Sequence, residues 1–278
     1  MEMSRRRPVI LRIAKLAILG ALFLVCWGAE KSCAQVSDAE KASYADALEY
    51  CRGDVARPMA LRSDKRVLCL DGRILAVSDI LLASSLEPGG LFVVRSNGGD
   101  IAVTIALADI LLAREATVVV NDYCLATCAN YLFVASTRTF VPKDALVAWI
   151  NQATGPDNCI GFDETSDRTA PRFQEKPCAL ALVDKSVSEL IRLKKNFYGE
   201  RNLSFEEPPE SVAVRRILKR RFDATGKYPD DVYWTWNPRY YTGAIKTKVL
   251  YEAYPQSQDD VDAIVARLGL PHAVIHDP

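Results

Sequence analysis

Residues 91 to 128 read LFVVRSNGGDIAVTIALADILLAREATVVVNDYCLATC, and the order of patterns in this run decides the fold. Leu91 to Arg95 is a short apolar, β-rich stretch, a strand. Ser96-Asn97-Gly98-Gly99 ends it with two residues free to adopt positive φ. Asp100 is a candidate N-cap, and the fourteen residues after it are apolar almost all round, the pattern of a buried helix. Thr117 to Asn121, TVVVN, returns as a β-branched strand, and Leu125 to Ala135 is again helix-compatible. Strand, helix, strand, helix in this order predicts parallel crossover units with helices packed on a sheet, an α/β fold.

The pattern continues outward on both sides. Val67 to Leu70 is an apolar strand ending in the turn Asp71-Gly72. An apolar stretch, Ile80 to Leu86, follows, and Pro88-Gly89-Gly90 breaks it. Two further strands are predicted near Thr139 to Val141 and Leu146 to Ile150. Residues 151 to 178 lack periodicity and lie between Cys159 and Cys178, so they read as a stapled insertion. Helices are predicted over Leu180 to Lys195, Ser211 to Phe222 and Ser257 to Leu268. The last has Ser257 and Asp260 as a capping-box variant and Gly269 as its stop. Tyr233, Trp234, Trp236, Tyr240 and Tyr241 crowd one segment around Pro238; they suit a lid packed on the core better than a binding face. Arg215, Arg216, Lys219, Arg220 and Arg221 fall on a solvated helix face. The tail, from Pro271 to Asp277-Pro278, reads as a loose end.

At 278 residues, 49% hydrophobic and 25% charged, the composition is globular and excludes disorder and coiled coil. Thirty-five basic residues balance 35 acidic ones, so there is no cationic excess to neutralise phosphates, and nucleic acid is not an expected partner. Arg5, Arg6, Arg7, Arg12 and Lys15 precede the uncharged run LAILGALFLVCWGA, Leu16 to Ala29, which has the form of an export signal. The run is short of the ~20 residues of a spanning helix, and Ser32 and Ala34 place small residues before a cut at Gln35. The reading preferred is a cleaved signal peptide over residues 1–34. The protein is then periplasmic or secreted. The alternative is an uncleaved anchor in the inner membrane, with lipidation at Cys26 or Cys33 a weaker third. Without residues 1–34 the chain keeps 29 basic and 33 acidic residues and six cysteines. In an exported protein those six read as disulfides between sequence neighbours: Cys51 with Cys69, Cys124 with Cys128, Cys159 with Cys178. Zinc is disfavoured, because Cys124 and Cys128 are spaced CxxxC with no histidine near. No metal and no cofactor are expected. The predicted organisation is an export segment (1–34), a helical lead (35–66), a core (67–152), the insertion (153–178) and a helical C-terminal region (179–278).

Three features of the core carry chemistry. The turn Ser96 to Asp100 points amides into a cleft, where Gly98 and Gly99 could hold an anion, although the same glycines serve an ordinary tight turn. Asp122 to Cys128 places the Thr127 hydroxyl at the start of a helix, where a nucleophile gains from the positive helix end. Leu146 to Gln152 is a strand ending in polar residues.

In this order the pieces resemble the core of the Clp-type serine peptidases and the signal peptide peptidase A group, above all their exported, cysteine-bearing bacterial relatives. Ser96-Asn97-Gly98-Gly99-Asp100 is similar to their oxyanion turn, Cys124 to Ser136 to their nucleophile helix, and Ala145 to Gln152 to their base strand. The resemblance implies a Clp/crotonase-like spiral over Val67 to Gln152. It also shows what has departed. Ala126 or Thr127 stands where that family has its serine, and Ile150 or Asn151 where it has its histidine. Neither Ile150 nor Asn151 can take a proton near pH 7. Lys143 reads as a solvated turn, and the two histidines, His272 and His276, are at the far C-terminus. The expectation is therefore a degenerate peptidase that holds a peptide or partner protein in the old cleft. A homo-oligomer remains open, and a membrane is a partner only if the N-terminal segment stays uncleaved. The rival is an active peptidase with Thr127 as nucleophile. A further rival, an acyl-transforming enzyme of the crotonase kind, conflicts with export, because coenzyme A thioesters belong to the cytoplasm.

Overall fold

In the computed structural model the described residues are 36–75, 77–150, 160–163, 172–175, 185–201, 203, 210–226, 232–241 and 244–278. The predicted export segment, Asn151, Cys159 and Cys178 lie outside them. By contacts the chain divides into residues 1–41 and residues 42–278, and the sheets all belong to the second unit. Among the described residues no helix is long and apolar enough to cross a membrane.

The elements, in chain order, are α1 (Asp38–Arg52), β1 (Met59–Leu61), β2 (Val67–Asp71), α2 (Val77–Ala83), β3 (Leu91–Ser96), α3 (Ile101–Ala113) and β4 (Thr117–Leu125). A π-helical turn (Cys128–Leu132) then leads through α4 (Phe133–Ala135) to β5 (Arg138–Val141) and β6 (Leu146–Ala148). Five strands of the main sheet run in the order β1-β2-β3-β4-β5, and all its pairings are parallel except β1 with β2. The strand–helix–strand crossovers predicted from residues 67 to 141 are therefore present, and the fold is a mixed α/β one built on a parallel sheet. Asp100 caps α3 by accepting from the Val103 amide, at 2.9 Å. Thr104, Ile105, Leu107, Ala108 and Leu111 of that helix are buried, which is why its sequence is apolar on nearly every face.

β4 is the strand that builds the site. Its first half pairs with β5 through Thr117 to Val119, and its end pairs with β6 through Tyr123 to Leu125. Between the halves the register against β3 jumps from Val94–Val120 to Ser96–Cys124. Two extra residues of β4 are accommodated there, and Asp122 takes φ 65°, a left-handed conformation. This bulge turns the end of β4 so that the segment after Cys124 lies over the turn after Ser96.

The insertion contains an antiparallel pair, β7 (Ile160–Asp163) with β8 (Arg172–Glu175). The C-terminal region holds α5 (Lys185–Glu200), α6 (Val212–Thr225) and α7 (Gln258–Leu268). The capping box of Ser257 and Asp260 and the left-handed Gly269 both form. It also holds three strands that a helical reading omits: β9 (Val232–Trp234), β10 (Lys248–Tyr251) and β11 (Ala273–Ile275). β10 extends the main sheet beside β5, and β11 pairs in parallel with β9. At three or four residues each, these strands are too short for an alternating pattern to show. The tail is not a loose end. Asp277 is fully buried, donates its amide to Thr235 Oγ1 (3.0 Å) and accepts from the Tyr254 hydroxyl (2.8 Å).

The aromatic segment packs on the core as a lid. Tyr233, Trp234, Trp236 and Tyr241 are buried, whereas Tyr240 is exposed. Trp149 and Trp234 exchange two backbone hydrogen bonds, 2.8 and 3.0 Å. Trp149 meets the rings of Phe133 and Trp236 edge-on at 5.6 and 5.3 Å.

Candidate functional site

The site lies at the carboxyl ends of β3 and β4, where open parallel sheets offer a crevice. Its floor is the turn Ser96 to Asp100. Gly98 takes φ 86°, and its amide donates to Ser96 Oγ at 3.0 Å. Ile74 docks against the turn: its amide donates to Gly98 O at 3.1 Å and its carbonyl accepts from the Asp100 amide at 2.8 Å. A Cβ on Gly99 would stand 2.0 Å from Ile74 O, so glycine is required there by contact with backbone. The other candidate amide, that of Gly99, donates to Thr127 Oγ1 at 2.7 Å. The Gly98 and Gly99 amides thus both already have acceptors from within the chain.

Above this floor stands the elbow Leu125-Ala126-Thr127. Ala126 adopts φ 52° and donates its amide to Ala148 O at 3.1 Å. The left-handed position of this turn therefore carries only a methyl group. Thr127 sits one residue on in right-handed helical geometry and is fully buried. Its oxygen faces the glycine turn, with Thr104 Oγ1 3.4 Å away. The disulfide Cys124–Cys128 spans the elbow, and Cys51–Cys69 ties α1 to β2. These are the two pairings predicted among the described residues; the third, Cys159 with Cys178, falls outside them.

No base is assembled at the elbow from the residues proposed for it. Ile150 is buried in an apolar cluster with Leu125, Ala126, Leu146, Ala148, Tyr233, Val261 and Val274. Its carbonyl accepts from Asn130 Nδ2 at 2.9 Å. Lys143 is exposed, as a solvated turn predicts. His272 packs at a tilt against Tyr233, ring centres 4.6 Å apart, and His276 Nε2 is 3.0 Å from Pro255 O. Asn130 escaped sequence reading. It follows the elbow by four residues, bonds its amide to Ala126 O at 2.8 Å and leaves its own Oδ1 buried without a donor.

A second feature invisible to motif reading is a charged rim at the ends of β2, β3 and β4. Asp71 and Arg95 are register partners, and Arg95 holds Asp71 with two hydrogen bonds of 2.7 Å. Arg57 also contacts Asp71. Arg52 reaches Asn121 Oδ1 at 2.9 Å and Asp122 at 3.5 Å, and Arg95 lies 3.5 Å from Asp122 as well. Three arginines therefore face two aspartates, a surplus of one positive charge.

No protein-family model matches the sequence, and no curated protein matches it. Among solved structures, a ClpP1 mutant from Listeria monocytogenes is similar over 71% of this chain and 95% of its own, at 10% identity and a TM-score of 0.37.

Proposed function

We propose that this is an exported, non-catalytic protein of peptidase-like architecture that binds a peptide or a segment of a partner protein. One observation carries the reading: the Thr127 hydroxyl occupies the amide of Gly99, and the strained elbow position beside it is Ala126. An oxyanion donor that already holds a protein oxygen is not free to stabilise a developing charge. A threonine hydroxyl without a base is a poor nucleophile. The two disulfides support an oxidising compartment and hence export. The apolar cluster that includes Tyr233 and Val274 packs around Ala126, so we place the partner on the neighbouring rim. There the surplus cation among Arg52, Arg57 and Arg95 favours an acidic segment.

The test has two arms. Purified protein is expected to hydrolyse an unstructured fluorogenic peptide library at the buffer rate, unchanged in Thr127→Ala. A wild-type rate abolished by that substitution establishes an active threonine peptidase instead. In the second arm, a fluorescein-labelled Glu-rich decapeptide is expected to bind more tightly than its Gln counterpart. Arg52→Ala with Arg57→Ala should weaken it about fivefold, and added salt should weaken it further. Equal affinity for the two peptides removes the acidic partner. Mass spectrometry of the native protein is expected to find Gln35 as its first residue, and an intact N-terminus in the membrane fraction would favour the anchor.

A further inference from the structure

A pocket of about 630 Å³ lies between the start of α6 and the C-terminal tail, with walls that include Val212, Arg216, Trp236, Tyr240, Ala244 and Asp277. We infer that this pocket binds an organic cation, an ammonium group carried on an aromatic or aliphatic body. The inference does not depend on the function proposed above.

Asp277 is the buried acid of its lining. The residue is fully buried and held at three points of its backbone and side chain: its amide by Thr235 Oγ1, its carbonyl by the Tyr254 hydroxyl, and Oδ2 by the Asn237 amide at 3.1 Å. The remaining oxygen, Oδ1, is shielded from solvent and has no hydrogen-bond partner. A buried carboxylate with one oxygen unfilled is costly to maintain, and a ligand that brings both a donor and a positive charge relieves that cost. The walls suit such a ligand. Tyr240 is 44% exposed, and its ring already accepts the Arg239 guanidinium at 4.6 Å, so an aromatic face that attracts cations is formed in this chain. Trp236 supplies a second ring, and Val212 and Ala244 supply apolar surface for the body of the ligand. The volume falls in the range of small-molecule sites. Glu210, Arg215 and Arg216 line the pocket as well, so its formal charges balance two against two, and the preference for a cation rests on where Asp277 stands.

Phenethylamine, phenethyl alcohol and phenylpropionate, which share a ring and differ in charge, provide the test by calorimetric titration of the whole protein. The amine is expected to bind at least tenfold more tightly than the alcohol, and the acid no better than the alcohol. Asp277→Asn keeps the side-chain acceptor and should bring amine and alcohol to within about twofold. If that variant fails to fold, Tyr240→Ala on the surface decides, with an expected fivefold or greater loss for the amine. A phenylalanyl tetrapeptide amide, run beside the free amine, separates the sources of the ammonium group: equal binding identifies a peptide N-terminus, and binding of the free amine alone identifies a small molecule. Equal affinity for amine and alcohol, stronger binding of the acid, or no binding of any probe overturns the inference.

Discussion

Thr127 uses its oxygen to close the glycine turn against the elbow, so its contribution is structural and measurable. Thr127→Val keeps the shape and removes the acceptor. The Gly99 amide then loses its partner in a half-buried place, and the fold is expected to lose about 1–2 kcal/mol in urea unfolding. Thr127→Ser, which keeps the oxygen, should lose less than half of that. Gly98→Ala places a Cβ 2.6 Å from the same oxygen and 2.8 Å from the Thr127 amide, at a φ of 86°. It is expected to cost more than either, about 3 kcal/mol or above, because strain and overlap act together. Wild-type stability in that variant would show that the turn relaxes freely. The glycines and the hydroxyl were legible in the sequence, but the choice between Ala126 and Thr127 was not. It depends on the left-handed bulge at Asp122 and on the bond from the Ala126 amide to Ala148, and both are set by strand pairing across distant residues.

At the scale of elements, local chemistry and sheet pairing divide the labour. The crossover units of residues 67 to 141 were legible because the strands are short continuous apolar runs and α3 has a glycine break and an aspartate cap at its start. The strands β9, β10 and β11 were not. Their backbone groups are satisfied by partners 41 residues or more away in the chain, as in Ala273 with Val232 and Lys248 with Arg138, and no local signal records such pairings. The two disulfides offer a contrast in loop length. Cys51 and Cys69 are 18 residues apart, Cys124 and Cys128 only 4. Chain entropy then assigns roughly 3 kcal/mol to the first and roughly 2 kcal/mol to the second. Replacing each pair by alanines is expected to lower the denaturant midpoint more for Cys51–Cys69. The opposite order would mean that the short bridge, by clamping the elbow, stabilises native packing beyond its effect on the unfolded chain.

At the scale of the whole molecule, the C-terminal layer completes the core of residues 42–278 and fills it with buried hydroxyls. Burial, reinforced by the charges of Tyr251, Tyr254 and Asp277, holds the Tyr241 phenol well above its ordinary value of 10.0. Burial also raises Tyr251 and Tyr254, but both keep partial contact with solvent whereas Tyr241 is buried, so Tyr241 dominates. A phenol whose folded-state value is raised stabilises the fold fully below the unfolded value and loses that contribution as the pH climbs. Above about pH 10 the unfolded chain releases this proton while the native one keeps it. Stability should then fall by about 1.4 kcal/mol per pH unit for each such phenol. Tyr241 also donates to Trp236 O at 3.0 Å, which joins the ring to the lid. Tyr241→Phe is therefore expected to cost about 1 kcal/mol at pH 7 and to flatten the decline between pH 10 and 12. The two effects have opposite signs at the two ends of the range, so the wild-type and variant curves should cross at about pH 11. Urea midpoints measured at one-unit intervals from pH 7 to 12 test this, and curves that stay parallel would mean that the phenol ionises as easily in the folded protein as in the unfolded chain.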